Sequence, residues 1–168
     1  MKYDYKTIEP KWQKRWEEAE AFVARDDSPK PKFYGLVEFP YPSGAGMHVG
    51  HIKAYGGLEV ICRKRRMQGY NVLFPIGFDA YGLPTENYAI KTGIHPREVT
   101  DRNIAKFTSQ LKRVGFSFDW SRVIDTTKED YYKWTQYIFL KLFEKGLAFR
   151  DTALVNYCPS CKVVLSNE

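Results

Sequence analysis

The feature that most constrains the fold is an apolar run followed by a loop, a long helix and a second apolar run. Residues 33–39 form the first run, Pro40 closes it, and prolines and glycines fill the loop that follows. A helix is predicted over residues 48–68 and is closed by Gly69, after which residues 70–74 form the second run. This order predicts a βαβ unit with buried parallel strands and therefore an α/β fold.

Helix-start signals precede four further segments: a capping Thr7, Pro84, Pro96 and a capping-box sequence that starts at Thr127. The segment after Thr7 carries Pro10 in its first turn and an apolar stripe of Ile8, Trp12 and Trp16, so one of its faces should pack on the fold. The helix after Pro96 should end at Gly115, and the helix after Thr127 at Gly146. Short strands are predicted between residues 149 and 165.

Composition supports a single domain with a core and gives no sign of a membrane protein. The chain has 168 residues, 43% of them hydrophobic, and no apolar run reaches the roughly 18 residues that cross a bilayer. The first 30 residues contain Asp4, Glu9, Glu17, Glu18 and Glu20, unlike a transit peptide, which is poor in acidic residues. Three cysteines cannot all pair, so we expect reduced thiols and a cytoplasmic protein. The net charge of +6 would suit a polyanionic partner but is also common on solvated surfaces.

Two of the three histidines lie within four residues, in the sequence His48-Val-Gly-His51 at the start of the predicted helix. This spacing puts both imidazoles on one face of the first turn, where free backbone N–H groups and the helix dipole favour anions. Such donors would stabilise the charge that develops in nucleotidyl transfer. Gly50 leaves room for a purine or a phosphate near the backbone. The alternatives are a zinc pair, for which further ligands at suitable spacing are lacking, and two surface histidines.

A carboxylate follows the second predicted strand. Asp79 comes between that strand and the helix that starts near Pro84, and so should face the same crevice as the histidines. It could pair with the ammonium group of a substrate, with Tyr41 contributing a hydroxyl from the first loop. The alternative is that Asp79 caps a helix or stabilises a turn.

Two further short segments, the basic residues 63–66 and the cysteine pair Cys158 and Cys161, allow both a functional interpretation and another one. Arg63-Lys-Arg-Arg66 could contact nucleic acid, but a charged last helical turn with a solvated face is the preferred interpretation. Cys158 and Cys161 have the spacing of half a tetrahedral zinc site. A redox role for this pair is less favoured because no helical pattern follows it.

Taken together, these segments resemble the leucyl-tRNA synthetases, a family of class I aminoacyl-tRNA synthetases. The resemblance is carried by residues 40–51, which look like the HIGH-signature segment of that family, and by residues 66–73 and 77–90. Residues 131–136 and 164–168 fit as well. Small departures are Ile52, where proline is common, and the aromatic residues Phe78 and Tyr81.

The resemblance implies that leucine is activated by ATP, accompanied by Mg²⁺, and transferred to tRNA(Leu). It implies catalytic roles for His48 and His51 on the ATP phosphates. The implied ATP-binding residues are Pro42, Ser43, Gly44, His48, Gly50 and His51. The implied leucine-binding residues are Phe39, Tyr41 and Asp79. Cys158 and Cys161 would bind Zn²⁺ as a half-site, with the other ligands of the family lying beyond residue 168.

The resemblance also implies how the chain is divided. Residues 1–152 should form the amino-terminal part of a Rossmann-type catalytic domain, and residues 153–168 the start of an incomplete zinc-binding module. No KMSKS-like loop occurs in the 168 residues, so we expect this chain by itself to be inactive in charging tRNA. The alternatives are a non-catalytic nucleotide- or amino-acid-binding module derived from such an enzyme, a truncated paralogue, and a basic RNA-binding fragment.

Overall fold

A computed structural model describes residues 3–42 and 46–166 of the chain. The chain divides into two compact units, Met1–Tyr131 and Tyr132–Glu168, which are described separately. The predicted domain boundary between residues 152 and 153 stays a prediction. Within the described ranges, each helix is too short or too polar to cross a membrane.

Among its described residues, the first unit contains four α-helices, a short 3-10 helix (Trp120–Arg122), the start of a fifth α-helix and two pairs of parallel strands. In chain order its elements are α1 (Tyr5–Glu18), β1 (Lys32–Tyr34), α2 (Val49–Met67), β2 (Asn71–Leu73), β3 (Gly77–Phe78), α3 (Leu83–Thr92), α4 (Pro96–Val114) and β4 (Ile124–Asp125). β1 pairs with β2 and β3 pairs with β4, both in parallel. The predicted α/β class is therefore confirmed.

The predicted βαβ unit is present, with α2 as the crossover between β1 and β2. Phe33 lies opposite Val72 in the parallel register, and the Gly35 N–H extends the pairing by donating to the Leu73 carbonyl at 2.9 Å. The expectation that the first strand is buried on both faces is wrong. Gly35 is buried, whereas its neighbours Tyr34 and Leu36 are about 60% exposed, which is the alternation of a strand with one face on the core.

The pairing of β3 with β4 was not predicted. Pro75 and Gly77 interrupt the apolar pattern after β2, and no strand was predicted in this segment. In the structure the Asp119 N–H donates to the Phe74 carbonyl at 2.8 Å, and the Ile124 N–H to the Ile76 carbonyl at 3.2 Å. Tertiary pairing thus extends this chain segment as a strand toward Asp79.

The core of the first unit lies between α2, α4 and the strands. Its buried members are Tyr55, Cys62, Val72, Phe74, Ile76, Leu111, Phe116 and Phe118. Phe74 and Phe118 have ring centroids 4.4 Å apart with an interplanar angle of 36°, so the two buried rings pack directly on each other. Burial raises the pKa of Cys62 to about 11, so this thiol stays protonated and acts as an apolar core residue.

The start of α1 differs from the prediction. The helix begins at Tyr5 with Asp4 as its N-cap, and the Thr7 hydroxyl donates to the Asp4 carboxylate at 2.8 Å. Pro10 lies inside the helix, one turn beyond its start. The expected apolar face is only partly covered, because Trp16 is half-buried and Trp12 is 44% exposed.

The basic turn at the end of α2 points partly into the protein, so the interpretation of this segment as a solvated face is wrong for Arg63 and Arg66. Arg63 donates to the Gly115 carbonyl at 2.8 Å, and Arg66 donates to the Ser117 carbonyl at 2.9 Å. Glu59 is 8% exposed and accepts hydrogen bonds from Ser117 through its N–H and hydroxyl and from Arg63 through its Nε. A buried carboxylate therefore draws the basic side chains inward.

The second unit holds most of a long helix and a small hairpin. α5 (Glu129–Glu144) starts just before the unit boundary, and β5 (Asn156–Cys158) pairs antiparallel with β6 (Val163–Leu165). The expected helix and short strands are thus present. The apolar side chains of α5 are largely exposed, including Trp134 at 62% and Phe143 at 61%.

We predict that Glu59→Gln lowers the free energy of unfolding of the purified chain by about 2 kcal/mol, because Arg63 loses its charged partner while remaining partly buried. Urea titration followed by circular dichroism measures this change. Glu17→Gln is the control, since its ion pair with Lys112 is exposed and should contribute less than about 1 kcal/mol. Equal losses in the two variants would contradict the role of the buried carboxylate.

Candidate active site

His48 and His51 cap the start of α2 through reciprocal side-chain-to-backbone hydrogen bonds. His48 is the N-cap residue, and its Nδ1 accepts the Gly50 N–H at 3.1 Å. His51 Nδ1 accepts the backbone N–H of His48 at 3.2 Å. The ring centroids are 4.0 Å apart, so the two imidazoles form one compact pair. The predicted placement on the first helical turn is therefore correct.

This capping arrangement fixes the tautomer of each ring. A ring whose Nδ1 accepts a hydrogen bond carries its proton on Nε2. Since the Nδ1 atom of both histidines is engaged with a backbone N–H, each ring offers Nε2–H as its donor. The pair therefore presents two N–H donors next to the backbone N–H groups of a helix N-terminus, an arrangement that suits an anion.

The environment of His51 favours the neutral ring. Burial lowers the pKa of His51, and the charge of the neighbouring His48 lowers it further. His51 is half-buried, with Tyr55 at 6.0 Å and the edge of Phe107 at 6.1 Å between ring centroids. A neutral imidazole at this position acts as a hydrogen-bond donor rather than as a fixed positive charge.

Gly50 has a different local role from the one expected. A Cβ atom at this position would lie 2.8 Å from Cε1 and 2.9 Å from Nδ1 of His48. The room left by the missing side chain is therefore filled by the His48 ring. That Gly50 lies under the adenine of ATP stays a prediction.

The loop after β1 lies against β3 and the start of α3. Phe39 contacts the backbone of Gly77, where a Cβ atom would come within 2.5 Å of its ring. The Tyr41 hydroxyl lies 2.8 Å from the Thr85 hydroxyl and 3.4 Å from the Gly82 carbonyl. Phe39 and Tyr41 are both half-buried. The first loop and the segment after β3 thus form one wall.

Asp79 comes directly after β3 rather than after β2. Its backbone N–H donates to the Pro40 carbonyl at 3.2 Å, which places it between Phe39 and Tyr41 along the same wall. The N-cap of α3 is Gly82, so the alternative in which Asp79 caps this helix is wrong. The Asp79 backbone thus lies beside the loop that carries both aromatic residues, and the Asp79 side chain is exposed; the role of these three residues toward leucine stays a prediction.

The remaining ATP-site predictions fall on the loop between Tyr41 and His48. Pro42 is buried, and its carbonyl accepts a hydrogen bond from Asn103 at 3.0 Å. Ser43 and Gly44 lie outside the described residues. The Met47 N–H donates to Gln110 Oε1 at 2.9 Å.

Sequence reasoning missed Asn103 and Gln110, although both lie on α4 close to the buried side chains of Phe107 and Leu111. An amide side chain on the packed face of a helix requires a polar partner, and this was the available signal. A cleft of about 450 Å³ lies beside Tyr41 between α3 and α4, and Arg102 and Lys106 give its wall positive charge.

In the second unit, Cys158 and Cys161 form the turn of a knuckle. The Cys161 N–H donates to Cys158 Sγ at 3.4 Å, and hydrogen bonds from the turn lower the pKa of Cys158. A thiolate held in this way fits one half of a zinc site. Among residues 3–42 and 46–166, no group of three or more metal-ligating side chains comes together.

Comparison with known proteins identifies the class. The family of class I tRNA synthetases (I, L, M and V) matches residues 11–168. With nearly the whole chain covered and a histidine pair at the start of the crossover helix, the chain belongs to this family.

Within the family, the similar proteins are specific for one amino acid. The chain is 61% identical to the leucine–tRNA ligase of Alkaliphilus oremlandii over 99% of its own length and 55% identical to that of Chlorobaculum tepidum over 100%. It also matches the crystal structure of the Agrobacterium radiobacter K84 agnB2 LeuRS in a ternary complex with tRNA and LeuAMS, with a TM-score of 0.89 and 36% identity over 99% of the chain. The resemblance to the leucyl-tRNA synthetases is therefore confirmed.

The chain spans about a fifth of these relatives. It covers 21% of each of the two ligases and 21% of the chain in the ternary complex. The similarity thus concerns one segment, which carries the histidine pair, the first loop and Asp79.

We predict that His51 titrates below its ordinary pKa of 6.5 in the purified chain. In NMR titration its Cε1–H resonance should have a midpoint below 6.5, and His48→Gln should move this midpoint up only in part, because burial is the larger cause. Since the unfolded chain takes up the proton first, stability should fall as the pH drops below about 6.5. A midpoint at or above 6.5 would contradict this environment.

Proposed function

We propose that this chain is the part of a leucine–tRNA ligase that binds ATP and leucine and forms leucyl-adenylate. The observation that carries the proposal is the histidine pair, with both Nδ1 atoms engaged and both Nε2–H groups available at a helix N-terminus. The similarity to leucine–tRNA ligases supports the choice of amino acid.

In the proposed reaction, a carboxylate oxygen of leucine attacks the α-phosphorus of ATP and pyrophosphate leaves. Negative charge then builds on the phosphate oxygens. The Nε2–H groups of His48 and His51 would donate to these oxygens and bind the transition state more strongly than the ground state. Because the rings are already held by the backbone, little reorganisation is needed during the reaction.

The wall formed by Phe39, Tyr41 and Asp79 would bind leucine. The Asp79 carboxylate would pair with the substrate ammonium group, and the two aromatic residues would cover the apolar part of the substrate. The hydrogen bond from the Asp79 N–H to the Pro40 carbonyl supports this assignment, because it holds the Asp79 backbone beside the loop that carries both rings.

Other ligands follow from the family and are part of the proposal. Mg²⁺ would enter with ATP as substrate, and tRNA(Leu) would accept the leucyl group in the full-length protein. Zn²⁺ at Cys158 and Cys161 would hold the knuckle closed, and two further ligands would complete it. A cytoplasmic location stays a prediction.

The test is leucine-dependent ATP–pyrophosphate exchange by the full-length protein that contains this sequence. We expect exchange with leucine, and exchange with isoleucine and valine that is slower by at least about tenfold. Absence of exchange with every amino acid would favour a non-catalytic binding module, and a preference for another amino acid would contradict the assigned substrate.

We predict that His48→Ala and His51→Ala each lower the kcat of this exchange by about 10²-fold with little change in the KM for leucine. The matched control is His95→Ala. His95 caps α4 in the same way, its Nδ1 accepting the Arg97 N–H at 3.2 Å, but it belongs to a different helix start. A loss confined to the KM for ATP would show ground-state binding instead, and loss of bound metal would favour a zinc pair.

We predict that Asp79→Asn slows leucine activation by about 10²-fold, because the bound ammonium loses a charged partner worth about 3 kcal/mol. The ratio of leucine to isoleucine activation should stay the same, since the carboxylate contacts a group that all amino acids share. Asp101→Asn on the exposed face of α4 is the control. An unchanged leucine rate in Asp79→Asn would leave Asp79 as a turn residue.

A further inference from the structure

We propose that α4 positions the chain next to the histidine pair at Pro42 and Met47, described residues on either side of the loop, and that Asn103 and Gln110 are the positioning residues. These residues contact the loop backbone rather than the substrate. The proposal concerns the same site as the proposed function and relies on it for the activity measurement.

Gln110 acts immediately before the catalytic pair. Its Oε1 accepts the Met47 N–H at 2.9 Å, and Met47 is the residue before the N-cap His48. Gly46 adopts a φ of +100°, and a Cβ atom there would lie 2.8 Å from Gln110 Oε1. The backbone at residue 46 therefore adopts a conformation that favours glycine, and it lies close to the Gln110 amide. This close approach allows Gln110 to accept the hydrogen bond from Met47, the residue before His48.

Asn103 contacts the other described side of this loop. Its Nδ2 donates to the Pro42 carbonyl at 3.0 Å, and its side chain is 8% exposed. One buried donor is thereby matched to one backbone acceptor, so replacement of either group leaves the other unpaired.

A third contact from the same helix reaches the histidine pair directly. Phe107 is 1% exposed and meets the His51 ring edge-on, with ring centroids 6.1 Å apart. Asn103, Phe107 and Gln110 are separated by four and three residues, which places them on one face of α4. A single helix face therefore contacts Pro42, Met47 and His51.

The rest of the first unit holds α4 in place. Val99 and Phe107 on α4 are buried, with 3% and 1% of their surface exposed. Leu111 is fully buried in the core. Because these buried residues hold α4 in place, the side-chain amides of Asn103 and Gln110 can hold Pro42 and Met47 in fixed positions. The Nε2–H donors that follow Met47 are then also held in place, and their placement would set the rate.

The first test compares two glutamine substitutions in the full-length protein. Gln110→Met removes the acceptor of Met47 at similar side-chain volume and should lower the kcat of leucine-dependent exchange by about 10-fold, with the KM for leucine unchanged within about twofold. Gln13→Met is the matched control, because it removes one exposed amide hydrogen bond to α4, from Gln13 to the Arg113 carbonyl at 2.9 Å, that does not involve the loop. Gln110→Glu keeps an acceptor for the Met47 N–H and should recover most of the rate.

The second test reads the histidine pair without turnover. The chain has three histidines, so ¹⁵N-histidine labelling gives a simple spectrum. In the wild-type chain the imidazole shifts of His48 should be those of the Nε2–H tautomer. Gln110→Met should move them toward the average of the two tautomers, whereas Gln13→Met should leave them unchanged.

The proposal is overturned if Gln110→Met leaves both the exchange rate and the His48 shifts at their wild-type values, or if Gln13→Met changes them equally. If the wild-type full-length protein shows no exchange with leucine, the proposed function fails, and the imidazole shifts alone then decide whether Gln110 positions His48.

Discussion

Parallel pairing of β1 with β2 brings the segments that follow the two strands to the same edge of the fold, and the candidate site is built from those segments. The hydrogen bond from Gly35 to Leu73 carries this pairing past the strand ends. From there the chain enters the loop that contains Phe39 and Tyr41, while the pairing of β3 with β4 brings Asp79 alongside. A parallel pair requires a long crossover, and α2 supplies it together with the histidine pair.

In the histidine pair, the contacts that cap the helix would also serve the proposed chemistry. Helix starts leave backbone N–H groups without partners, and here imidazole Nδ1 atoms accept two hydrogen bonds of this kind. Capping a helix with histidine rather than serine or aspartate directs the second ring nitrogen outward as a donor. The preference of His51 for the neutral state keeps this arrangement intact at neutral pH.

Local signals predicted the parts of the fold that depend on neighbouring residues. The crossover helix, its start at His48 and the end of α4 at Gly115 follow from caps, glycines and spacing. Contacts between distant segments were missed. Gln110 and Met47 are 63 residues apart, and Asn103 and Pro42 are 61 apart, so no local pattern reveals their pairing. Likewise, Arg63 contacts Glu59 and the carbonyl of Gly115, which lies 52 residues further along the chain.

The most direct test of the account is a crystal structure of the full-length protein that contains this sequence, bound to a sulfamoyl analogue of leucyl-adenylate. We expect the Nε2 atoms of His48 and His51 to lie about 3 Å from oxygen atoms of the sulfamoyl group, which replaces the phosphate, or of the ribose, with both Nδ1 atoms still bound to the backbone. The analogue ammonium should lie against Asp79. An analogue bound away from the histidine pair, or histidine rings turned so that Nδ1 faces the ligand, would contradict it.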